Sequence, residues 1–370
     1  MGNLTRVLVV DDSALARMVI SRRISLDPGI EVVGVAFDGI DALEKVKTLK
    51  PDVVTLDVEM PRMDGLTTLS RIMAESPTAV VMLSRLTEED AEVTIKALEA
   101  GAVDFFLKPS MVDKGGLSNA IAGLNDKLKM AGRVDISRVV RALRRGTSHY
   151  RGAESLLAPS TRISGPRPQR NVVIIGSSTG GPKALCEIVP GLPRDLPASI
   201  LIVQHMPMGF TRSLARRLAQ LSQVEVREAA FGDKLKVGQA LVAPGNHHMV
   251  VGGADDVSLN QEPARNGVRP SIDVTMESVA ANAGYRCIGV VLTGMGSDGK
   301  NGAAAIKKSG GIVIAQDEPT SVIYGMPRSV AECGCADKVL PLHQITQEIV
   351  ELCKAKTANN PWRELDACGT

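Results

Sequence analysis

Between Arg6 and Lys129 five short apolar runs alternate with segments whose apolar residues recur at helical spacing, and no other feature of the chain constrains its fold as much. The runs occupy residues 7–10, 31–36, 53–56, 79–83 and 103–107, and the intervening segments include 40–49 and 89–100, the latter with Val93, Ala97, Leu98 and Ala100. A strand followed by a helix, five times over, demands a parallel sheet with helices on both faces. It also puts any chemistry at the carboxyl ends of the strands.

The chain has 370 residues, too many for one ordinary domain, and a second α/β pattern begins at Asn171. Strands are expected at 172–176 and 200–203, with helices from Pro182 and over 212–221. The stretch 235–260 is glycine-rich and holds three short apolar runs, 240–243, 249–251 and 257–259, which read as hairpins at one edge of a second sheet. A helix over 272–283, a strand over 288–292, a helix over 299–308, a strand over 312–315 and a helix over 342–354 complete the unit. The fold class is therefore α/β with two domains: a five-stranded parallel unit, and a doubly wound, mostly parallel sheet with an antiparallel hairpin edge. The expected boundaries are 5–125, a linker over 126–170, 171–354, and a polar tail over 355–370.

Composition narrows the function classes. Hydrophobic residues at 44% and charged residues at 23% supply two cores and exclude wholesale disorder. A net charge of +2 creates no global field for nucleic acid or an anionic membrane, and nine aromatic residues are too few for base-stacking platforms. The longest apolar stretches fall far below a membrane span, so no membrane insertion is expected. Six cysteines, with no short-range framework and no signal-peptide pattern, point to a reducing cytoplasm. Cys333-x-Cys335 is too small a ligand set for a zinc site and reads as structural.

Basic charge is instead local. Residues 131–170 hold nine arginines, no lysine and two acids, Asp135 and Glu154, a local charge of +7. Ile136, Val139, Val140 and Leu143 fall at helical spacing with arginines around the rest of the turn. Such a helix can dock on a partner or a membrane surface, but the simpler reading is an interdomain helix with a solvated basic face. The stretch 158–170, rich in Pro, Ser, Gly and Arg, reads as a disordered connection, and so does the tail around Trp362.

In the first unit, Asp11 and Asp12 follow the first strand, Asp57 ends the third, Ser84 ends the fourth, and Lys108-Pro109 ends the fifth. Three carboxylates crowded at one sheet edge repel each other unless a hard cation such as Mg²⁺ sits between them. With it, Asp57 can attack a phosphoryl group, Ser84 can hydrogen-bond the phosphate and Lys108 can pair with its charge. These residues resemble the phosphoacceptor pocket of a two-component response-regulator receiver domain, which has a flavodoxin-like (βα)5 fold. The resemblance implies that a histidine kinase donates phosphate to Asp57, that Asp11, Asp12 and Asp57 form the Mg²⁺ site, and that Phe105 occupies the aromatic switch position. Strand alternation alone would also bury one of Phe105 and Phe106.

In the second unit, Gly176-Ser177-Ser178-Thr179-Gly180 lies between a strand and a helix and fits the G-x-S-x-G nucleophile turn. Ser178 holds the central position, at a helix N-terminus whose N–H groups, Thr179 among them, can support an oxyanion. A phosphate-binding loop is the competing reading, but neither the P-loop pattern nor G-x-G-x-x-G is matched. His205, just after the next strand, is the expected base, whereas His149, His247, His248 and His343 read as surface or packing residues. Asp298, in the turn 294–299 that three glycines tighten, is the expected third member, and the same turn offers the Met295 N–H to an oxyanion. On its own Asp298 could equally be a helix N-cap.

The segments 175–182, 204–207 and 292–299, with 243–248, 269–274, 316–317 and 324–327, resemble the catalytic domain of the chemotaxis protein-glutamate methylesterases. Ser177 departs from the alanine common there and offers a second possible nucleophile. The resemblance implies a serine hydrolase that cleaves glutamate γ-methyl esters on methyl-accepting chemotaxis receptors, releases methanol, and deamidates selected receptor glutamines. It implies no cofactor for that reaction, a receiver that inhibits the esterase until Asp57 is phosphorylated, and a cytoplasmic enzyme recruited to membrane receptor arrays. The competing function is a phosphorylation-dependent binding module on those arrays; a DNA-binding regulator lacks its helix-turn-helix segment.

Overall fold

The computed structural model describes residues 4–108, 116–145 and 170–355. Expectations for Pro109, His149, Trp362, Cys368, the linker segment 146–169 and the tail 356–370 fall outside these residues.

The first unit runs β1 (Thr5–Val10), α1 (Ala14–Ile24), β2 (Ile30–Ala36), α2 (Gly39–Leu49), β3 (Val53–Asp57), α3 (Gly65–Glu75), β4 (Ala79–Ser84), α4 (Glu88–Glu99), β5 (Asp104–Leu107) and α5 (Gly116–Ala131). Its sheet has the order β2-β1-β3-β4-β5, with every pair parallel. Polar caps start four helices: Ser13, Asp38, Asp64 and Thr87 each accept an N–H from the first turn. Period-two alternation divides the strand side chains between two cores. Leu8, Val54, Leu56 and Met82 lie with Leu43, Ile72 and Ile95 of α2, α3 and α4. Val7, Val9, Val81 and Leu83 lie on the opposite face with Ile24 of α1 and Leu124 and Leu128 of α5.

α5 continues past residue 125 to Ala131, and α6 (Ile136–Arg145) follows after a short turn. Val139 of α6 is buried, and Ile136, Val140 and Leu143 pack beside it on the same core, while Arg138 and Arg141 face outward. The apolar stripe read from the sequence is thus the face that docks.

The second unit contains β6 (Arg170–Ser177), α7 (Gly181–Ile188), β7 (Ala198–Gln204), α8 (Phe210–Leu221), β8 (Glu225–Glu228), β9 (Asp233–Lys234), β10 (Gln239–Val242), β11 (His248–Val251), β12 (Asp256–Asn260), α9 (Ile272–Ala280), β13 (Tyr285–Val291), α10 (Lys300–Lys308), β14 (Ile312–Gln316), α11 (Met326–Glu332), β15 (Lys338–Leu340) and α12 (Leu342–Lys354). Seven strands form one parallel sheet in the order β15-β14-β13-β6-β7-β10-β8. The three apolar runs of the glycine-rich stretch divide between two sheets. Residues 249–251 and 257–259 belong to the antiparallel hairpin β11–β12, which with β9 makes a separate small sheet. The run at 240–243 is not a hairpin arm; it contributes β10, a parallel strand between β7 and β8 with all four residues buried. Burial on both faces explains its unbroken apolar character, which alternation would have interrupted in a hairpin.

Candidate active site

β6 and β13 pair in parallel at the centre of the second sheet, and the chain leaves β6 toward β7 on one side and reaches β13 on the other. The crevice beyond their carboxyl ends is the topological switch point of the sheet. Two loops meet there. The Ser178 N–H donates to Thr293 O at 3.0 Å, and Thr293 Oγ1 donates to Thr179 O at 3.0 Å. Gly294 makes this approach possible, because a Cβ there would fall 2.7 Å from Ser178 Cβ. Gly180, at φ 78°, turns the chain from the serine loop into α7.

The two adjacent serines have different environments. Ser177 is fully buried and its Oγ donates to Gln204 Oε1 at 2.6 Å. The Gln204 amide then donates to Ser178 O at 2.9 Å and to His205 O at 3.3 Å, tying the backbones of the two loops together. Among the described residues no hydrogen bond occupies Ser178 Oγ.

His205 Nε2 lies 2.8 Å from Asp298 Oδ2. A carboxylate only accepts, so in the neutral ring Nε2 carries the proton and Nδ1 keeps the lone pair that can take one. Asp298 is 2% exposed. Its Oδ1 accepts from Ser271 Oγ at 2.8 Å, Asp273 N at 3.2 Å and Asn266 Nδ2 at 3.3 Å, and its Oδ2 also accepts from Ile272 N at 2.7 Å. Burial pushes this carboxyl up, but the His205 ring, the Ile272 amide and the Ser271 hydroxyl outweigh it and hold the group down at about 2. Asp298 is thus an anion at any working pH. It is not the N-cap of α10, a position taken by Gly299. Among the described residues no hydrogen bond occupies the N–H of Thr179 or of Met295, and the Met295 side chain stands 42% exposed.

The first unit carries its own cluster at the β1–β3 switch point. Asp11, Asp12 and Asp57 bring one carboxylate oxygen each within 4.8 Å of one another. Lys108 Nζ lies 2.7 Å from both Asp11 Oδ2 and Asp57 Oδ2, and apart from it no donor reaches either buried oxygen. Burial raises the Asp57 carboxyl to about 6 against the pull of Lys108, with Asp11 and Asp12 adding to the rise. Hard oxygen donors, crowded and reached only by Lys108, fit a Mg²⁺ ion. Ser84 Oγ donates to Arg85 O at 3.2 Å and accepts from Thr94 Oγ1 at 3.0 Å.

α4 and β5 of the first unit pack directly on α7 and α8 of the second. Glu99 takes two hydrogen bonds from Arg217, Nε at 2.7 Å and Nη2 at 2.8 Å, and a third from Cys186 Sγ at 3.3 Å. Phe105, 6% exposed, stacks on the fully buried Phe210. Asp104 Oδ2 accepts from Thr179 Oγ1 at 2.6 Å and from Lys127 Nζ at 2.6 Å, so a side chain of the first unit touches the residue next to Ser178.

Comparison with known proteins agrees with this two-unit architecture. A family model described as response regulator receiver domain matches residues 7–121, and one described as CheB methylesterase matches residues 173–349. The protein-glutamate methylesterase/protein-glutamine glutaminase of Symbiobacterium thermophilum is 51% identical, over 93% of this chain and 96% of that protein. The chain belongs to this family. The enzyme of the same name from Pyrococcus abyssi is 47% identical over 94% of each chain. A crystal structure of the Thermotoga maritima CheB methylesterase catalytic domain is 46% identical and covers 49% of this chain and 97% of that one, with a TM-score of 0.47.

Several residues of this methylesterase family member escape a reading of its sequence. Gln204, Ser271 and Asp273 lie in segments that carry the resemblance and Asn266 lies outside them, but the sequence assigns none of the four a role; each acts through a bond that only the folded chain creates. Asp273 is fully buried and accepts from the amides of Gly299 and Gly302 at 2.9 and 2.7 Å, which pins the turn bearing Met295 and Asp298. One signal was available for Ser271, since a serine directly before an apolar helical pattern is an N-cap candidate. Cys333 and Cys335 lie at the end of α11, where Cys335 Sγ contacts Cys333 O at 3.7 Å. Among the described residues the only His/Cys/Asp/Glu group suited to a metal is the one in the receiver, and no helix is long and apolar enough to cross a membrane.

Proposed function

We propose that this chain is a phosphorylation-activated protein-glutamate methylesterase and protein-glutamine glutaminase that resets chemotaxis receptors. The observation that carries the reading is the His205–Asp298 contact at 2.8 Å, on a loop that Gln204 ties to the Ser178 loop, with the Ser178 hydroxyl unengaged among the described residues. A pure docking module has no use for a buried carboxylate held at about 2 against an imidazole, so hydrolysis is favoured over binding alone.

His205 Nδ1 takes the Ser178 proton as Oγ attacks the γ-carbonyl of a receptor glutamate methyl ester. The N–H groups of Met295 and Thr179 stabilise the tetrahedral oxyanion, and Asp298 stabilises the imidazolium. Collapse breaks the carbonyl–methoxy bond, and the imidazolium passes its proton to the leaving methanol. Water, deprotonated by the same nitrogen, then cleaves the glutamyl-enzyme, restoring the Ser178 hydroxyl and leaving the receptor side chain as a glutamate carboxylate. A glutamine follows the same path with ammonia as the leaving group. No cofactor enters these steps.

In the receiver, Asp57 accepts phosphate from the histidine kinase of the same signalling system; Asp11, Asp12 and Asp57 would hold a Mg²⁺ ion, which would neutralise phosphoryl charge. Lys108 and Ser84 contact the new phosphate, and Phe105 communicates it to the interface it shares with Phe210. Until then the α4–β5 edge covers the esterase crevice, in a cytoplasmic enzyme that works at membrane receptor arrays. The test is methanol release from methylated receptor membranes by the wild type and by Ser178→Ala. Release by the wild type alone supports the reading; equal release by both overturns it.

A further inference from the structure

The carboxylate of Asp298 is seated by three consecutive residues at the start of α9, the N-cap Ser271 with Ile272 and Asp273. What holds that turn in place lies one layer further back. The Ser271 N–H donates to His248 Nδ1 at 3.2 Å, and His248 Nε2 lies 3.3 Å from Pro263 O. An amide N–H can only donate and a carbonyl oxygen can only accept, so these partners fix His248 as the neutral ring protonated on Nε2. His248 is 1% exposed and Ser271 fully buried, so water cannot replace the bond between them, while Pro263 itself lies at the surface. One turn along, Thr275 Oγ1 donates to Met249 O at 2.7 Å, a second tie between the same strand and the same helix.

We infer that His248 is a positioning residue for the hydrolytic reaction: its Nδ1 holds the Ser271 amide, and through it the first turn of α9, in the geometry that seats Asp298 against His205. This rests on the reading of Asp298 as the partner of the catalytic base. The path is continuous, from Pro263 O through the His248 ring to Ser271, and from Ser271 Oγ to Asp298 and His205. Among the described residues the His248 ring bonds only Ser271 and Pro263, and its role is confined to that chain.

Two substitutions separate this role from packing. The amide oxygen of His248→Asn occupies the place of Nδ1 and can accept from Ser271, whereas the amide of His248→Gln reaches the place of Nε2 and leaves the Ser271 N–H unpaired. Measured on the full-length chain with methylated receptor membranes, His248→Asn is expected to keep kcat near the wild-type value. His248→Gln is expected to lower kcat by about 100-fold with KM little changed, the cost typical of a catalytic group displaced by about an ångström. Placed on Asp298→Asn, His248→Gln is expected to cost nothing further, because the group it positions is already disabled. Equal rates for the Asn and Gln variants overturn the inference, as does a full additional loss in the Asp298→Asn background. A wild-type rate for Asp298→Asn itself would instead overturn the underlying assignment of Asp298.

Discussion

Phe105 of β5 lies stacked on Phe210 of α8, ring centroids 4.6 Å apart and planes 16° from parallel. The residue proposed for the receiver's aromatic switch position is thereby part of the surface that packs on the second unit. Any event at Asp57 that turns the Phe105 ring must break this stack. An aromatic pair of this kind contributes about 0.5–1.5 kcal/mol beyond its burial. Phe105→Ala is accordingly expected to raise methanol release without phosphodonor several-fold and to shrink the further stimulation by phosphodonor. An unchanged basal rate in the folded variant would contradict the role given to the stack.

Glu99 and Arg217 form the ionic part of the same interface through two parallel hydrogen bonds. Both side chains keep partial exposure, 22% and 32%, so the pair is worth roughly 1–2 kcal/mol rather than a fully buried value. Glu99→Arg should raise the basal rate. Restoring complementarity with Arg217→Glu in the same chain should lower it again, and a double variant as active as the single one would count against the pairing.

Ser177 and Ser178 are neighbours with opposite expectations. Ser178→Ala is expected to reduce kcat by about three powers of ten or more, as for other triads. Ser177→Ala leaves the nucleophile in place but orphans Gln204 Oε1, which costs about 1–3 kcal/mol of stability. The check is a pair of measurements, kcat and Tm, on each variant. A collapse of kcat in Ser177→Ala at unchanged Tm would reverse the assignment.

Much of this arrangement is visible in the amino-acid order, and the parts that are not share one cause. Two receiver strands, β3 and β4, stand out because each is an apolar run that ends in a polar residue, Asp57 or Ser84. Ser178 stands out because glycines flank it at 176, 180 and 181; in the fold Gly180 makes the turn, and Gly176 and Gly181 leave room for Ile272 and Gln204. β15 and α11, three and seven residues long, are too short to show a period, and β10 looks like a hairpin arm until its position between β7 and β8 is known. Asp104 illustrates the limit for the site: within its own strand it is one acid beside two phenylalanines. Only docking of the two units reveals that it accepts from both Lys127 and Thr179.

Asp57 gives a pH prediction with a definite sign. Its carboxyl is raised from 3.8 to about 6 by burial, so the native state disfavours the anion. The stability this group contributes is present below about pH 4 and is lost as pH rises through about 6. Metal-free wild-type protein should therefore lose more Tm between pH 4 and pH 7 than Asp57→Asn. Mg²⁺ at neutral pH should raise the Tm of the wild type and do little for Asp57→Asn. Parallel pH profiles for the two proteins would contradict the burial argument.

The central claim is that one chain couples a phosphoacceptor aspartate to an esterase serine. It is tested most directly by the initial rate of methanol release from methylated receptor membranes, with and without acetyl phosphate and Mg²⁺, for the wild type and Asp57→Asn. The account predicts stimulation of the wild type and an unresponsive, slow rate for Asp57→Asn. Equal stimulation of both proteins, or none of the wild type once its Asp57 is shown to be phosphorylated, would contradict it.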